Sequence, residues 1–270
     1  MQDDKNIMYS SDEVEHTLDD HFMTDALRGA RSKELEILRE QISALYTSFK
    51  RPLKIFDIGV GDGHVPINLG KRLLGKIEKY IGIDNSAREV LRCEKNIKEA
   101  KLEEIISVIE FDATRLEDDS FRQKLPLPFH AVLCTYFTPG NFRPNEIKLE
   151  EAKPGQIVKY PQSVLKPNRK FQKVFSDAYD MLPRDGKLII GSTYIDSDAT
   201  RLKQEEFYKK CGMHVITTAE DEFTATREGF WSERFTREKI LNYLNWIPRE
   251  NIAFLPLDTD NFARMIVITK

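Results

Sequence analysis

Three glycines stand at alternate positions in the stretch KIFDIGVGDGHVPINLG, which covers residues 54–70. Asp57 stands just before them, and the glycines are Gly59, Gly61 and Gly63. A chain omits side chains in this way where another group must come close to the backbone or where φ must be positive. The pattern fits a tight strand-to-helix turn without a ligand, a dinucleotide loop, or a loop that holds a nucleoside cofactor.

The spacing of the glycines disfavours the dinucleotide loop. The fingerprint G-x-G-x-x-G requires a glycine three residues after the second one, and His64 occupies that position. A nucleoside cofactor without a pyrophosphate needs bare backbone, and it needs an acid at the end of the next strand for the ribose hydroxyls. Asp84 closes the apolar run KYIGID and is suitably placed to be that acid. The glycines therefore indicate a nucleoside site.

The elements that would position this site alternate along the chain. Residues 11–49 have apolar residues at helical spacing. Five short apolar runs then alternate with helical patterns: LKIFDIG, KYIGID, EEIISVIEFD, FHAVLCTYF and KLIIGSTYI. Such alternation is typical of a parallel sheet covered by helices on both faces. The last two runs, NIAFLPL and ARMIVITK, are too close together for a parallel crossover and predict an antiparallel hairpin. We expect an α/β fold with a doubly wound, mostly parallel seven-stranded sheet.

Two stretches do not follow the alternation. Residues 138–168 carry five prolines and little periodicity, and residues 196–235 separate the fifth run from the next helical pattern. Long insertions in a compact domain are usually lids, binding loops or extra subdomains. Both stretches are therefore expected to be lid insertions.

Composition excludes several function classes. The net charge of −3 over 270 residues shows no basic excess of the kind that nucleic-acid binders carry. No run approaches the roughly 18 apolar residues of a membrane span, and the acidic start MQDDKNIMYSSDEVE has no leader character. The three cysteines are scattered without metal or disulfide spacing, so we expect them to pack as small apolar groups in a reducing cytoplasm. We expect no metal.

Four segments together resemble a known family. In this order and spacing, DIGVGDG, GIDNS, EFDAT and HAVLCTYF are similar to the class I S-adenosylmethionine-dependent methyltransferases. The resemblance covers residues 54 to about 192, and the C-terminal hairpin fits the family's reversed last strand. It implies a Rossmann-like methyltransferase domain at 51–270, with residues 1–50 as an N-terminal helical cap.

The resemblance implies S-adenosylmethionine, the methyl donor, as the cofactor. The glycine loop would face its methionine part, Asp84 and Asn85 the ribose, and Asp112 with Ala113 the adenine. In several members an arginine of the N-terminal segment meets the donor's carboxylate, and Arg28 and Arg31 are the candidates here, with Arg31 preferred. A solvated helix face remains open for either of them. The full donor set is Asp57, Gly59, Gly61, Gly63, Asp84, Asn85, Asp112, Ala113, Thr135 and Arg31.

Two departures from the family's pattern bear on the acceptor. His130 stands where an acid commonly opens the fourth strand, and we expect it to cap the strand. The tetrad N/D-P-P-Y/F/W, by which enzymes that methylate exocyclic base amines grip a planar amine, is absent after that strand. TPGN stands there instead, and it resembles the glycine-asparagine pair of some small-amine N-methyltransferases. Asn141 is thereby a candidate for the acceptor site.

Methyl transfer requires alignment of donor and acceptor, and a base only where the acceptor must lose a proton. His64, His130 and His214 are the candidate bases, and none is convincingly placed. The family resemblance implies that Thr135 and Tyr136 lie near the donor's sulfonium. In REGFWSERF, Trp231 and Glu233 suit a cationic amine through cation–π attraction and charge pairing, although a helix entry explains them equally well. The predicted catalytic residues are Tyr136, Asn141, Trp231 and Glu233.

We therefore expect a methyltransferase of a small-molecule acceptor, with N-methylation slightly favoured over O-methylation. Methylation of protein or RNA, aminopropyl transfer, and cofactor binding without catalysis remain alternatives. We expect neither a nucleic-acid nor a membrane partner, and a homodimer stays open.

Overall fold

The computed structural model describes residues 12–19, 21–144, 168–217, 221–257 and 261–270, so most of the predicted first insertion lies outside the described residues. The N-terminal part begins with a short helix α1 (Asp12–Glu15) and continues in the long helix α2 (Asp25–Phe49). Thr24 separates the two, because its side chain caps α2 by accepting a hydrogen bond from the N–H of Leu27. The helical segment predicted over 11–49 is thus interrupted just before Thr24.

The five predicted parallel strands are all present. The structure contains β1 (Leu53–Ile58), β2 (Ile77–Asp84), β3 (Ile106–Glu110), β4 (Ala131–Cys134), β5 (Lys187–Ile195), β6 (Phe223–Ala225), β7 (Trp231–Phe235), β8 (Ile252–Pro256) and β9 (Ala263–Thr269). The main sheet runs β3–β2–β1–β4–β5–β9–β8, with β9 antiparallel to both of its neighbours. The predicted doubly wound, mostly parallel sheet with an antiparallel C-terminal hairpin is confirmed.

The sheet has nine strands rather than seven, because the second insertion adds a hairpin of β6 and β7. β4 pairs with β5 only as far as Ile190, which leaves the far half of β5 without a partner on that side. β7 fills this position and pairs in parallel with Tyr194 and Ile195. Backbone groups in a buried strand require such partners.

Helices cover both faces of the sheet. They are α3 (His64–Arg72), α4 (Ala87–Glu99), α5 (Asp119–Arg122), α6 (Arg169–Asp180), α7 (Asp198–Lys210) and α8 (Arg237–Tyr243). Apolar residues of α2, α3, α4 and α7 form one core with one face of the sheet. Those of α5, α6 and α8 form a second core with the other face. The sheet is therefore packed between two apolar cores.

Candidate donor site at the carboxyl edge of the sheet

The predicted site residues gather where the chain order of the sheet reverses. β1 lies between β2 and β4, so the loops that follow β1 and β4 leave the sheet on opposite sides. The crevice at such a switch point, outside the carboxyl ends of the strands, is where ligands bind in open α/β sheets. The glycine loop follows β1, Asp84 ends β2, and Thr135 follows β4.

The three loop glycines serve different purposes. All have a positive φ. A Cβ at Gly59 would lie 2.4 Å from Thr138 Cγ2, and one at Gly63 would lie 2.7 Å from Cys93 Sγ. A Cβ at Gly61 would meet no atom within 4 Å among the residues that the structure describes. Protein side chains thus occupy the space beside the outer two glycines, and only beside Gly61 is there room for a ligand.

Asp84 is tied to this loop. Its Oδ2 accepts a hydrogen bond from the N–H of Gly61 at 2.9 Å, and its Oδ1 accepts one from the N–H of Ser86 at 3.0 Å. Burial raises the pKa of Asp84, while these backbone bonds act in the opposite direction. Asn85 beside it is exposed. The end of β2 therefore presents a fixed carboxylate next to an accessible amide, directly beside the open side of Gly61.

Asp57, the acid before the glycines, lies completely buried within β1. Its Oδ2 accepts a 2.6 Å hydrogen bond from the Tyr80 hydroxyl. Its Oδ1 has no hydrogen-bond partner in the described part of the chain. Burial, together with the nearby carboxylates of Glu34 and Asp84, raises the pKa of Asp57 to about 7, although the hydrogen bond from Tyr80 acts in the opposite direction. A buried acceptor without a donor is costly unless a ligand supplies one.

The residues predicted for the adenine end follow β3. Asp112 and Ala113 are half-buried, and Asp112 Oδ1 accepts hydrogen bonds from the N–H and the hydroxyl of Thr114. Asp112 therefore caps the short 3-10 helix that begins at Ala113. Both of these bonds go to Oδ1. The Asp112 carboxylate can therefore cap the helix and still accept the hydrogen bond predicted from adenine, because each carboxylate oxygen can accept two hydrogen bonds.

The chain turns sharply after β4 into a left-handed conformation. Tyr136 and Phe137 have φ values of 51° and 64°, which non-glycine residues rarely adopt. The Arg31 guanidinium lies 4.5 Å from the centre of the Tyr136 ring, and the His64 ring lies 5.6 Å from it on centres. The half-buried Tyr136 thus stands between α2 and the start of α3, beside the glycine loop.

A buried acid from α2, which the sequence analysis missed, holds this turn. Glu34 is 0% exposed, and its carboxylate accepts hydrogen bonds from the N–H and hydroxyl of Ser192 at 2.7 and 2.8 Å. It also accepts one from the N–H of Tyr136 at 3.3 Å. Burial raises the pKa of Glu34 to about 7. A signal was available in the sequence: Glu34 stands four residues from both Ala30 and Leu38 on the apolar stripe of α2.

The comparisons with known proteins agree with this architecture. No protein-family model and no curated protein sequence matches the chain. An S-adenosylmethionine-dependent methyltransferase from Clostridium acetobutylicum superimposes with a TM-score of 0.52 at 12% identity, over 88% of this chain and 91% of that one. CalS10, an amino pentose methyltransferase from Micromonospora echinaspora, gives 0.52 at 10% identity, over 91% and 95%. An O-methyltransferase family 2 protein from Planctomyces limnophilus gives 0.51 at 11% identity, over 82% of this chain and 52% of that one.

The chain has the class I S-adenosylmethionine-dependent methyltransferase fold. The fold expected from the four sequence segments is thereby confirmed. Within this methyltransferase fold, the structure brings the predicted donor residues together along one edge of the sheet, from Asp112 through Asp84 and the glycine loop to Thr135 and Arg31. Arg28, the other arginine considered, instead pairs with Asp25 on the exposed face of α2.

Two predicted acceptor residues lie in a different environment from the one expected. Trp231 and Glu233 are in strand β7 and not in a helix entry, and they are 0% and 1% exposed. Glu233 Oε1 contacts Lys239 Nζ at 2.7 Å and the Tyr243 hydroxyl at 2.9 Å, and its Oε2 accepts a hydrogen bond from Asn168. The negative charge of Glu233 is thus already compensated within the protein. The geometry does not support the prediction that it holds a cationic amine.

Asn141 lies at the base of the same region. It ends the 3-10 helix Thr138–Asn141, which packs against β7 so closely that a Cβ at Gly140 would lie 3.0 Å from the backbone oxygen of Glu233. The Asn141 side-chain oxygen is buried and has no hydrogen-bond partner among the described residues. Trp231 Nε1 is likewise buried without a partner there. Of the two, Asn141 follows directly on the turn that carries Tyr136, so it remains a candidate for the acceptor.

The three histidines considered as bases are dispersed. His130 lies at the amino edge of the sheet, where its Nδ1 accepts a hydrogen bond from the N–H of Lys54, so it helps to order the starts of β1 and β4. His214 pairs with Glu228 near the β6–β7 hairpin. His64 is exposed beside Tyr136. Only His64 of these three borders the candidate site.

Three further observations concern the described residues alone. None of their helices combines the length and the apolar character that crossing a bilayer would demand. They contain no group of three or more histidine, cysteine, aspartate or glutamate side chains arranged to hold a metal ion. The three cysteines are free and buried, as the sequence predicted.

Proposed function

We propose that the protein is a methyltransferase that uses S-adenosylmethionine to methylate a small molecule. The observation that carries this proposal is the open space beside Gly61, in a loop whose other two glycines contact protein side chains. Bare backbone at this point, next to the carboxylate of Asp84 and the exposed Asn85, suits a nucleoside whose amino-acid part packs on the loop. The methyltransferase fold also supports S-adenosylmethionine as the cofactor.

The residues around the loop suit the charges of the donor. Within the described part of the chain, Asp57 Oδ1 has no hydrogen-bond partner, so it is suited to accept a hydrogen bond from the donor's ammonium group. Arg31, positioned over Tyr136, is suited to its carboxylate. When bound, the donor supplies an electrophilic methyl group on a sulfonium. The protein's task is then to align the acceptor with that methyl group and to exclude water.

The side chains near Tyr136 favour a small acceptor with an N–H group. Asn141 presents a buried oxygen that has no hydrogen-bond donor among the described residues, and Tyr136 offers an aromatic face. Deprotonating an alcohol would call for a base, and His64 is the one histidine of the three candidates that borders the turn. Solved proteins with this fold include one named as an amino pentose methyltransferase and an O-methyltransferase family protein in complex with apigenin, which supports a small-molecule acceptor. We favour nitrogen.

Calorimetry with S-adenosylmethionine, and in parallel with its decarboxylated form, tests the donor. Tight binding of S-adenosylmethionine alone supports the proposal, because Arg31 would gain no partner in the decarboxylated form. Preference for the decarboxylated form would instead indicate aminopropyl transfer. A screen of amines and phenols for methyl transfer then tests the acceptor. Turnover confined to phenols, and lost in His64→Ala, would overturn the preference for nitrogen.

A further inference from the structure

The turn after β4 adopts a conformation that its own residues do not favour. Each non-glycine residue in the left-handed region is disfavoured, and such residues persist where the surrounding structure over-determines them. Tyr136 and Phe137 are two in succession. Phe137 stacks on Tyr194 of β5 with ring centres 4.0 Å apart, which fixes the second of the two residues. Something else has to fix the first.

Glu34 provides that restraint. The N–H of Tyr136 points at the carboxylate, 3.3 Å from Oε2 and 3.4 Å from Oε1. Ser192 binds the same two oxygens through its N–H and its hydroxyl, so the carboxylate joins β5 to the turn after β4. A Cβ at Gly191 would lie 1.9 Å from Glu34 Oε1. The position can therefore accept the carboxylate only because residue 191 has no side chain.

The same turn also supports the glycine loop. Thr138, two residues after Tyr136, places its Cγ2 against the bare face of Gly59. A displacement of the turn would therefore be transmitted both to the Tyr136 ring and to the loop beside Gly61. Helix α2 thus reaches the donor site through the buried carboxylate of Glu34, in addition to the half-buried Arg31.

We propose that Glu34 is a positioning residue of the donor site, which holds the left-handed turn at Tyr136 against the glycine loop through the backbone N–H of Tyr136. The expected effect of Glu34 on donor binding rests on the proposed function. The coupling between Glu34 and the turn does not depend on that function. The charged or titratable groups around the carboxylate are Arg31 on the same helix, Asp57 on β1 and Cys134 on β4.

The coupling is tested by NMR on protein labelled with ¹⁵N at its nine tyrosines. Tyr136→Phe identifies the resonance of Tyr136 by removing it. Burial raises the pKa of Glu34 to about 7, so the Tyr136 amide resonance should move with a midpoint in that range as Glu34 loses its proton. The movement should be lost in Glu34→Gln and kept in Asp57→Asn, which removes the neighbouring acid. An amide that does not titrate, or that titrates equally in Glu34→Gln, would overturn the proposal.

The effect on the donor is measured by calorimetry with S-adenosylmethionine at pH 8. We expect Glu34→Gln, which keeps the size of the side chain, to weaken binding by at least about tenfold. The control is Glu36→Gln on the same helix, because Glu36 is 53% exposed and pairs only at the surface with Lys33. Binding by Glu34→Gln within twofold of wild type would overturn the positioning role. Failure of the wild-type protein to bind would instead overturn the proposed function, and the NMR result would still decide the coupling.

Discussion

Replacing Gly61 by alanine tests directly where the donor lies. The added Cβ would point into space that holds no described atom within 4 Å. The N–H of Gly61, which donates to Asp84, is retained in alanine. The substitution therefore keeps this hydrogen bond and adds volume beside the loop. We expect it to weaken S-adenosylmethionine binding because the donor's amino-acid part would pack on that face.

The magnitude has two parts, one for folding and one for binding. At a φ of 54°, alanine in place of glycine is strained, at a cost of about 1–2 kcal/mol in the free energy of unfolding. Fitting a methyl group into a filled contact typically costs about 1–3 kcal/mol, so donor binding should weaken about fivefold to a hundredfold. Gly75 is the matched control. Its φ is 78°, its Cβ would also meet nothing described within 4 Å, and it lies between α3 and β2 at the opposite edge of the sheet.

Urea unfolding and calorimetry separate the two parts. Gly61→Ala and Gly75→Ala should lose similar amounts of stability, since both strain a left-handed residue. Only Gly61→Ala should lose affinity for S-adenosylmethionine. Unchanged donor affinity in Gly61→Ala would refute the assignment of the loop, and an equal loss in Gly75→Ala would show that the effect arises from strain and not from contact.

Three other predictions follow from the site and its surroundings. Asp84→Asn should weaken binding of the donor at least about tenfold, since charge-assisted hydrogen bonds contribute roughly 1.5–3 kcal/mol each. In calorimetry it should weaken binding of the donor's 2′-deoxy analogue less, and equal losses would argue against a ribose contact. Because burial raises the pKa of Asp57 to about 7, its neutral form stabilises the fold below about pH 4 and this contribution is lost as the pH rises to about 7. Asp57→Asn should remove this pH-dependent contribution, which is on the order of 4 kcal/mol in the free energy of unfolding. The free energy of unfolding measured in urea should then vary less with pH, and an unchanged variation would contradict this origin. Lys239→Met, which leaves Glu233 buried and charged, should destabilise the fold by about 3–5 kcal/mol in urea without changing donor affinity, whereas a loss of affinity alone would restore Glu233 as a site residue.

Local sequence determined the parts of the fold that depend on local periodicity. The five parallel strands and the C-terminal hairpin follow from short apolar runs separated by turn residues, because a strand buried on both faces needs apolar residues throughout. The glycine loop after the first run and Asp84 at the end of the second likewise predicted that the ends of β1 and β2 lie side by side. Helix α7 was missed because half of its buried face is polar: Thr200 and Gln204 accompany Phe207 and Tyr208 there, so the apolar period is incomplete.

Tertiary structure alone decided which partners each side chain contacts. The sequence shows three equivalent glycines, but only packing against Thr138 and Cys93 distinguishes the two structural glycines from Gly61. It shows Glu233 beside a tryptophan, but the ion pair with Lys239 comes from the way α8 folds back on β7. Such contacts join residues whose positions are set by packing of whole elements, and no local pattern encodes them. A buried charge therefore takes its role from the partners that the fold brings to it.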